Sequence, residues 1–471
     1  MPQYDAVVIG SGPNGLSAAI ELARNGARVL VLEGHPQIGG GTRTANLTLP
    51  GFLHDTCSAV HPMGVLSPFW QRLPMQKHGL EWIYPEASVA HPLDNQAAVM
   101  LYRSVERTME GLGVDAEAWQ KLVNPFVSSG KTLLADSLGP FGWPKNPFIF
   151  ARFGLKGMRS AEGLAQKYFQ DPMAQALFAG CAGHSVLPLD KGFSAAVGLM
   201  FVITAHLVDW PVAKGGSTAI TKALAAILGN WGGTIECDQW IKSWQQIPDA
   251  KVVLFDTDPV QMAQIAGEQL PSRYRKRLSR YNYGPGAFKV DWALDGPIPW
   301  EDTNCLLAST VHVGGSLYEI AESEKAAWEG RISEKPYLIL CQQSQFDAMR
   351  SPKGQHTAYA YCHVPQGLDV DMTDFIERQI ERFAPGFRDL ILARHKTRPS
   401  EFESYNPNYV GGAITGGAAD ITQLFTRPVA RLDPYSTPNK KIFICSAASP
   451  PGGGVHGMCG YHAARSALKR L

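Results

Sequence analysis

The sequence has no closely spaced cysteines. Its eight, at positions 57, 181, 237, 305, 341, 362, 445 and 459, are scattered and never form C-x-x-C. Metal sites and dithiol redox centres want short spacings, so reduced, mostly buried thiols are the expected reading. Charge is also scarce. Charged residues make up 18%, below the usual quarter, and 43 Lys+Arg against 42 Asp+Glu leaves a net charge of +1. Without a basic excess there is no electrostatic footprint for nucleic acid. A membrane span needs about 20 apolar residues. The run "FSAAVGLMFVITAHLV" (193–208) is shorter and contains His206, so it reads as a buried helix. No internal repeat, heptad array or low-complexity tract stands out, and no basic region precedes a cleavable apolar segment. A cytoplasmic location is expected.

Hydrophobic residues make up 45% of the 471 positions. So much apolar surface over such a length implies two or more domains, with surface buried against a cofactor or an apolar partner. The opening "YDAVVIGSGPNGLSAAIELARNGARVLVLEG" parses as strand 4–9, helix 17–24, a turn at Asn25-Gly26 and strand 28–32. Between the first strand and the helix, Gly10, Gly12 and Gly15 form G-x-G-x-x-G around Pro13 and Asn14. The first glycine allows the tight turn, the second lets backbone approach a pyrophosphate, and the third lets helix pack on strand. Glu33 follows Gly15 by 18 residues, placed to accept hydrogen bonds from ribose hydroxyls and to repel a 2′-phosphate. The alternative, a glycine-rich turn that binds nothing, leaves that acid unexplained. Gly34 and then Gly39, Gly40, Gly41, Thr42 and Arg43 bring more backbone and a cation to the same region. With only one dinucleotide fingerprint in the chain, a stable nicotinamide domain is not expected.

The N-terminal unit is too short to close a doubly wound sheet. Its missing parts are distributed: a helix after Ser217, strands at 234–237 and 251–255, a helix near Pro259, and a last strand at 441–445. The expected fold is α/β, with a Rossmann-type dinucleotide domain assembled from 1–74, 210–274 and 430–471. The inserted α+β substrate domain comprises 75–209, expected to be helical, and 275–429, expected to be an antiparallel sheet with one covered face.

Across the whole chain the sequence resembles the phytoene-dehydrogenase-like FAD-dependent oxidoreductases of the carotenoid desaturase and ketolase superfamily. It looks closest to the branch that includes the animal pyridine nucleotide-disulphide oxidoreductase domain-containing protein 2. The carriers are "VVIGSGPNGLSAAIELARNG" with Glu33, "HDTCSAVHP", "KGGSTAI", "YGPGAFKVDWALDGPIPW", "NPNYVGGAITGG" and "PPGGGVHGMCGYHAA". The resemblance implies bound FAD, a flavin over an apolar substrate domain, and hydrogen removal, addition or rearrangement on a long lipophilic molecule. Two departures stand out. The short "CDQWIKSWQQIPDAK" replaces the relatives' β-meander, and Cys445-Ser446-Ala447-Ala448 replaces the acid that many flavoproteins place after the last strand.

Gly453, Gly454, Val455 and His456 follow the last strand. They are expected to hold the flavin half, with a helix starting near Val455 aiming its N–H groups and positive dipole end at the ring. Candidate catalytic residues are His61, His456 and Tyr409, with His54, Asp55 and Tyr405 nearby in sequence. Each also has a structural reading: a backbone-bonded histidine, a turn-capping aspartate, a packed tyrosine. Three functions fit. One is an FAD-dependent oxidoreductase acting on an isoprenoid or other lipid, reached from a membrane surface without a spanning helix. The others are a flavin amine oxidase on a smaller polar substrate and a flavin-binding interaction protein without turnover.

Overall fold

The computed structural model describes residues 2–140 and 142–471. Its two main sheets use twelve strands. The first six are β1 (Tyr4–Ile9), β2 (Val29–Leu32), β3 (Ala87–Leu93), β4 (Gln96–Leu101), β5 (Thr234–Glu236) and β6 (Ala250–Phe255). The rest are β7 (Gly286–Leu294), β8 (Ala308–Val313), β9 (Leu338–Cys341), β10 (His356–Val364), β11 (Ile391–Thr397) and β12 (Ile442–Ile444). Seven helices matter below: α1 (Pro13–Arg24), α2 (Pro147–Gly157), α3 (Pro172–Gly183), α4 (Ser194–Val208), α5 (Thr218–Asn230), α6 (Pro259–Ala266) and α7 (Met458–Ala467).

The first sheet is all parallel, in the order β12-β6-β1-β2-β5. Its central strands are continuous apolar runs because helices cover both faces. Ala6, Val8 and Val31 face α1, α5 and α7, while Val7, Ile9 and Leu30 face α6. Pro13 starts α1, where its fixed φ suits a first turn, and Asn25-Gly26 ends it, with Gly26 at φ +88°. A Cβ on Gly460 would collide with the Asn14 carbonyl. That close approach, with Arg465 3.5 Å from Glu21, joins α1 directly to α7.

The second sheet runs β11-β7-β10-β9-β8-β3-β4 and is antiparallel except where β8 meets β3. Two expectations are corrected here. The segment 75–209 is not purely helical, since its β3-β4 hairpin completes this sheet. The signal was a tight Asp94-Asn95 turn, with Asn95 at φ +54°, between two apolar stretches. Nor is only one face covered. All nine residues of β7 are buried. Phe288, Val290 and Trp292 pack with the helix Thr373–Glu381, while Val89 and Ile339 on the other face pack with α3 and α4. The apolar run at 193–208 is the buried α4, whose His206 accepts the Trp119 indole N–H at 3.2 Å. Among the described residues no helix is long and apolar enough to cross a membrane.

Candidate active site

Parallel register sets the site. Ile9 lies beside Leu32 and Phe255, and Phe255 beside Ile444. The residues that follow, Gly10, Glu33, Asp256 and Cys445, therefore leave the sheet at one edge. From β1 the chain crosses through α1 to β2 on one side, while β6 lies on the other. That is the switch-point crevice in which doubly wound folds bind ligands. A cavity of about 1010 Å³ opens there and continues into the space between the two sheets.

Gly10, Gly12, Pro13 and Asn14 line the crevice, whereas Gly15 sits behind it. A Cβ on Gly15 would collide with the Gly10 carbonyl, so the third glycine serves helix–strand packing. Glu33 Oε2 accepts the Ser11 N–H at 2.9 Å and its hydroxyl at 2.5 Å, and Oε1 accepts the His35 N–H at 2.9 Å. Arg43 Nη2 lies 3.3 Å from Oε1, and its guanidinium sits over the Tyr405 ring at 5.2 Å. Thr42 donates its hydroxyl to the Gly39 carbonyl, fixing the loop. Tyr405 donates to the Gly40 carbonyl at 2.7 Å, and the Tyr409 hydroxyl covers Gly41, where a Cβ would collide with it.

Three cavity residues were missed by sequence reasoning. Asp256, directly after β6, accepts the Gly15 N–H at 2.8 Å. Burial raises its carboxyl to about 8, with Glu33 adding to the rise and the N–H of Gly15 opposing it. The signal was an acid closing an apolar strand. Trp240, in the segment between β5 and β6, packs so tightly on Gly34 that a Cβ there would collide with its ring. It supplies the cover over that end of the crevice. Arg427 is 3% exposed and lines the cavity. It donates to the Ala418 carbonyl at 3.0 Å and the Ala447 carbonyl at 3.5 Å, while its Nε has no partner. Among the described residues no carboxylate forms an ion pair with it. Nothing in the local sequence distinguishes this arginine from an exposed one.

Gly453, Gly454, Val455 and His456 all line the cavity beside Ser446. The following helix begins at Met458, not near Val455. Gly454 at φ +122° and Gly457 at φ +68° hold residues 454–457 as a loop, and the Met458 N–H is taken by His456 Nδ1 at 3.0 Å. Ser217 likewise precedes α5 without capping it with its side chain. Its hydroxyl donates to the Ser58 carbonyl at 2.7 Å and meets His61 Nε2 at 2.8 Å. It must therefore accept from His61 Nε2–H, which leaves His61 Nδ1 a buried acceptor with no partner.

His61 and His456 both face the cavity, and burial lowers each to about 4, so both are neutral near pH 7. Burial raises the Tyr409 phenol well above its ordinary range. His54 and Asp55 do not reach the cavity. Asp55 lies 2.9 Å from Arg350 and accepts the Ser217 N–H at 2.8 Å. Burial works to raise this carboxyl, but Arg350 and Ser217 outweigh it and hold it below the ordinary range. His54 lies 3.5 Å from Asp291, which Lys289 pairs at 2.5 Å. These two tie the N-terminal segment to the second sheet.

The donor set fits a bound dinucleotide. Gly12 lines the crevice at the α1 N-terminus, Asn14 Oδ1 is buried without a partner, and Arg427 is a buried cation beside the loop 446–456. Comparison with known proteins agrees. Residues 8–73 match the NAD(P)-binding Rossmann-like domain. The mouse pyridine nucleotide-disulfide oxidoreductase domain-containing protein 2 is 25% identical, over 100% of this chain and 94% of that protein. One of the limonene dehydrogenase polypeptides of Castellaniella defragrans is 23% identical, over 100% of this chain and 95% of that one. An oxidoreductase from Methanosarcina mazei superposes with TM-score 0.66 at 15% identity, covering 98% of this chain and 99% of that one. The chain thus has a Rossmann-like NAD(P)/FAD-binding fold, and the proteins it is similar to are named as oxidoreductases.

Proposed function

We propose that the protein is an FAD-dependent oxidoreductase that moves a hydride between the flavin and a lipophilic molecule of isoprenoid or similar type. The continuity of the cavity carries this reading. It runs from Glu33 and the α1 N-terminus, past the loop 446–456, into a chamber walled by Phe150, Phe153, Met200, Phe201 and Trp210. Glu33, Arg43 and Asn14 would hold the adenosine and diphosphate, and Ser446, Gly453, Gly454, Val455 and His456 the flavin. When bound, the flavin supplies hydride acceptance and donation. The apolar walls exclude water and orient a C–H bond. His61 Nδ1, neutral and unpaired, is the cavity atom best suited to take a proton or a hydrogen bond. The limonene dehydrogenase relative, named for an apolar terpene, supports the substrate class.

An amine oxidase needs a carboxylate for its cationic substrate. The acids lining the cavity are Glu33, Asp136, Asp256 and Asp258. Three of them sit at the sheet edge, and the fourth, Asp136, is half-exposed and accepts the Lys145 N–H at 2.9 Å with one oxygen, so no fully buried carboxylate faces an ammonium in the apolar chamber. Anaerobic addition of isoprenoid lipids and of amines, followed by flavin absorbance, tests the reading. Bleaching by lipids is expected. Bleaching by amines alone would favour the oxidase, and no bleaching at all would favour a binding protein without turnover.

A further inference from the structure

A row of polar side chains interrupts the apolar chamber. On the helix-facing side of the second sheet, Thr310, Cys341 and Tyr359 lie opposite one another across β8, β9 and β10, as do His312, Ile339 and Tyr361. Alternate residues of a strand share a face, so both rows point the same way, and Thr310, Tyr359 and Tyr361 line the cavity. Directly after α3, His184 lines it too, stacked on Phe201 with ring centroids 4.5 Å apart. His184 Nε2 lies 2.9 Å from His312 Nε2. One of these nitrogens donates and the other accepts, so each ring holds a single proton. Burial takes His184 to about 3 and His312 far below its ordinary value, so the pair stays uncharged.

His184 hydrogen-bonds only through Nε2, while Thr310 Oγ1 and His312 Nδ1 are buried without a partner. Two ionisable pairs lie on this face, His363 with Glu324 at 2.8 Å and Lys289 with Asp291 at 2.5 Å, and neither reaches the cavity. Around the histidine pair the chamber therefore presents neutral donors and acceptors, and Asp136, the one lining acid away from the sheet edge, is half-exposed. Unpaired buried polar groups select a partner that satisfies them and reject one that cannot.

We propose that His184 and Thr310 bind a neutral oxygen, a hydroxyl or carbonyl, carried by an otherwise apolar substrate, and that the chamber rejects ammonium and carboxylate analogues. This rests on the preceding reading only in that the chamber takes the substrate. A hydroxyl can donate to a free acceptor nitrogen and accept from the Thr310 hydroxyl. An ammonium or carboxylate would enter an apolar space with no counter-ion.

The test is calorimetric titration of the full chain, as purified with its cofactor and without oxygen, using farnesol, farnesene, farnesylamine and farnesoic acid. Farnesol should bind tightest. His184→Phe and Thr310→Val should each weaken farnesol by about two- to tenfold, the range of one neutral hydrogen bond, and leave farnesene unchanged. Thr310→Val keeps the side-chain shape, so it tests the idea even if the histidine variant folds poorly. Equal binding of farnesol and farnesene, tightest binding of the amine or acid, or a farnesol preference that survives Thr310→Val would overturn the proposal. Because binding is read apart from bleaching, a farnesol preference without flavin reduction would sink the hydride reading and leave the substrate class standing.

Discussion

The Asp256 carboxyl accepts the Gly15 N–H at 2.8 Å, at the α1 end where a diphosphate is expected to sit. A charged carboxylate there would repel the ligand. As the neutral acid it can keep that N–H and also donate its own proton to a phosphate oxygen. Burial holds the folded carboxyl at about 8 against an ordinary 3.8, so the folded state keeps a proton that the unfolded chain gives up. Stability should therefore fall as pH rises from about 4 to 8 and level off above.

Binding adds a second consequence. FAD affinity should drop above pH 8, and Asp256→Asn should flatten that dependence while keeping FAD bound. Equilibrium dialysis between pH 6 and 10 measures it. A wild-type affinity that is flat across this range, or rises with pH, would show that Asp256 stays away from the diphosphate.

Glu33→Ala should weaken FAD by roughly ten- to a hundred-fold, the loss of charge-assisted hydrogen bonds worth about 1.5–3 kcal/mol. The structure adds a condition. Glu33 already holds Ser11, His35 and Arg43, so a ribose hydroxyl must displace the Ser11 hydroxyl or Arg43. Ser11→Ala removes one competitor and should leave FAD affinity unchanged or raise it. Unchanged affinity in Glu33→Ala would sink the ribose assignment.

The parallel sheet was legible because its strands are apolar runs and its first turn carries three glycines with distinct steric duties. The distributed order was legible for the same reason, each returning strand being such a run. The β3-β4 hairpin was not, because Pro-rich helical sequence surrounds it. Its strands are buried on both faces, so they lack the alternation that marks a half-exposed strand. The start of α7 was misplaced because "GGGVHG" carries no N-cap side chain, and two positive-φ glycines delay the helix to Met458. Asp256 showed only as an acid closing an apolar strand, and Arg427 not at all. Their meaning lies in what long-range folding withholds from them, water for one and a carboxylate for the other.

A surface prediction follows from α2. Trp143, Phe148, Leu155 and Met158 are 92%, 88%, 69% and 52% exposed, and Trp143 and Met158 also line the cavity mouth. Lys145, Arg152 and Arg159 are exposed among them. Aromatic and aliphatic side chains ringed by cations suit an anionic lipid surface, at about 1 kcal/mol per basic residue. The protein should co-sediment with phosphatidylserine vesicles, less so at high salt, and Trp143→Ser with Phe148→Ser should cut binding about tenfold. The apolar run at 193–208 is buried in α4 and should not matter. Equal binding of wild type and double variant would remove α2 from the membrane contact.

The last prediction concerns Arg427. Burying a guanidinium without a carboxylate is costly, and two carbonyls offset only part of that cost. The apoprotein should therefore gain stability or lose none when the charge is removed, as in Arg427→Gln. With cofactor bound the sign should reverse, because an anion now faces the cation. A Cβ on Gly452 would meet Arg427 Nη1 at 2.6 Å, so the charge lies against the loop proposed to hold the flavin, and a reduced flavin carries negative charge. A cation about 5–8 Å from that charge, at an effective dielectric near 20, contributes about 2–3 kcal/mol. For a two-electron couple this is roughly 45–70 mV. Arg427→Gln should lower the flavin potential by that amount, and Arg427→Lys should retain most of it. Thermal melts of apo and loaded protein, with spectroelectrochemical titration, read both halves. A glutamine variant with full FAD content and unchanged potential would reduce Arg427 to a brace between Ala418 and Ala447. A large loss of FAD with the potential intact would move its charge to the diphosphate.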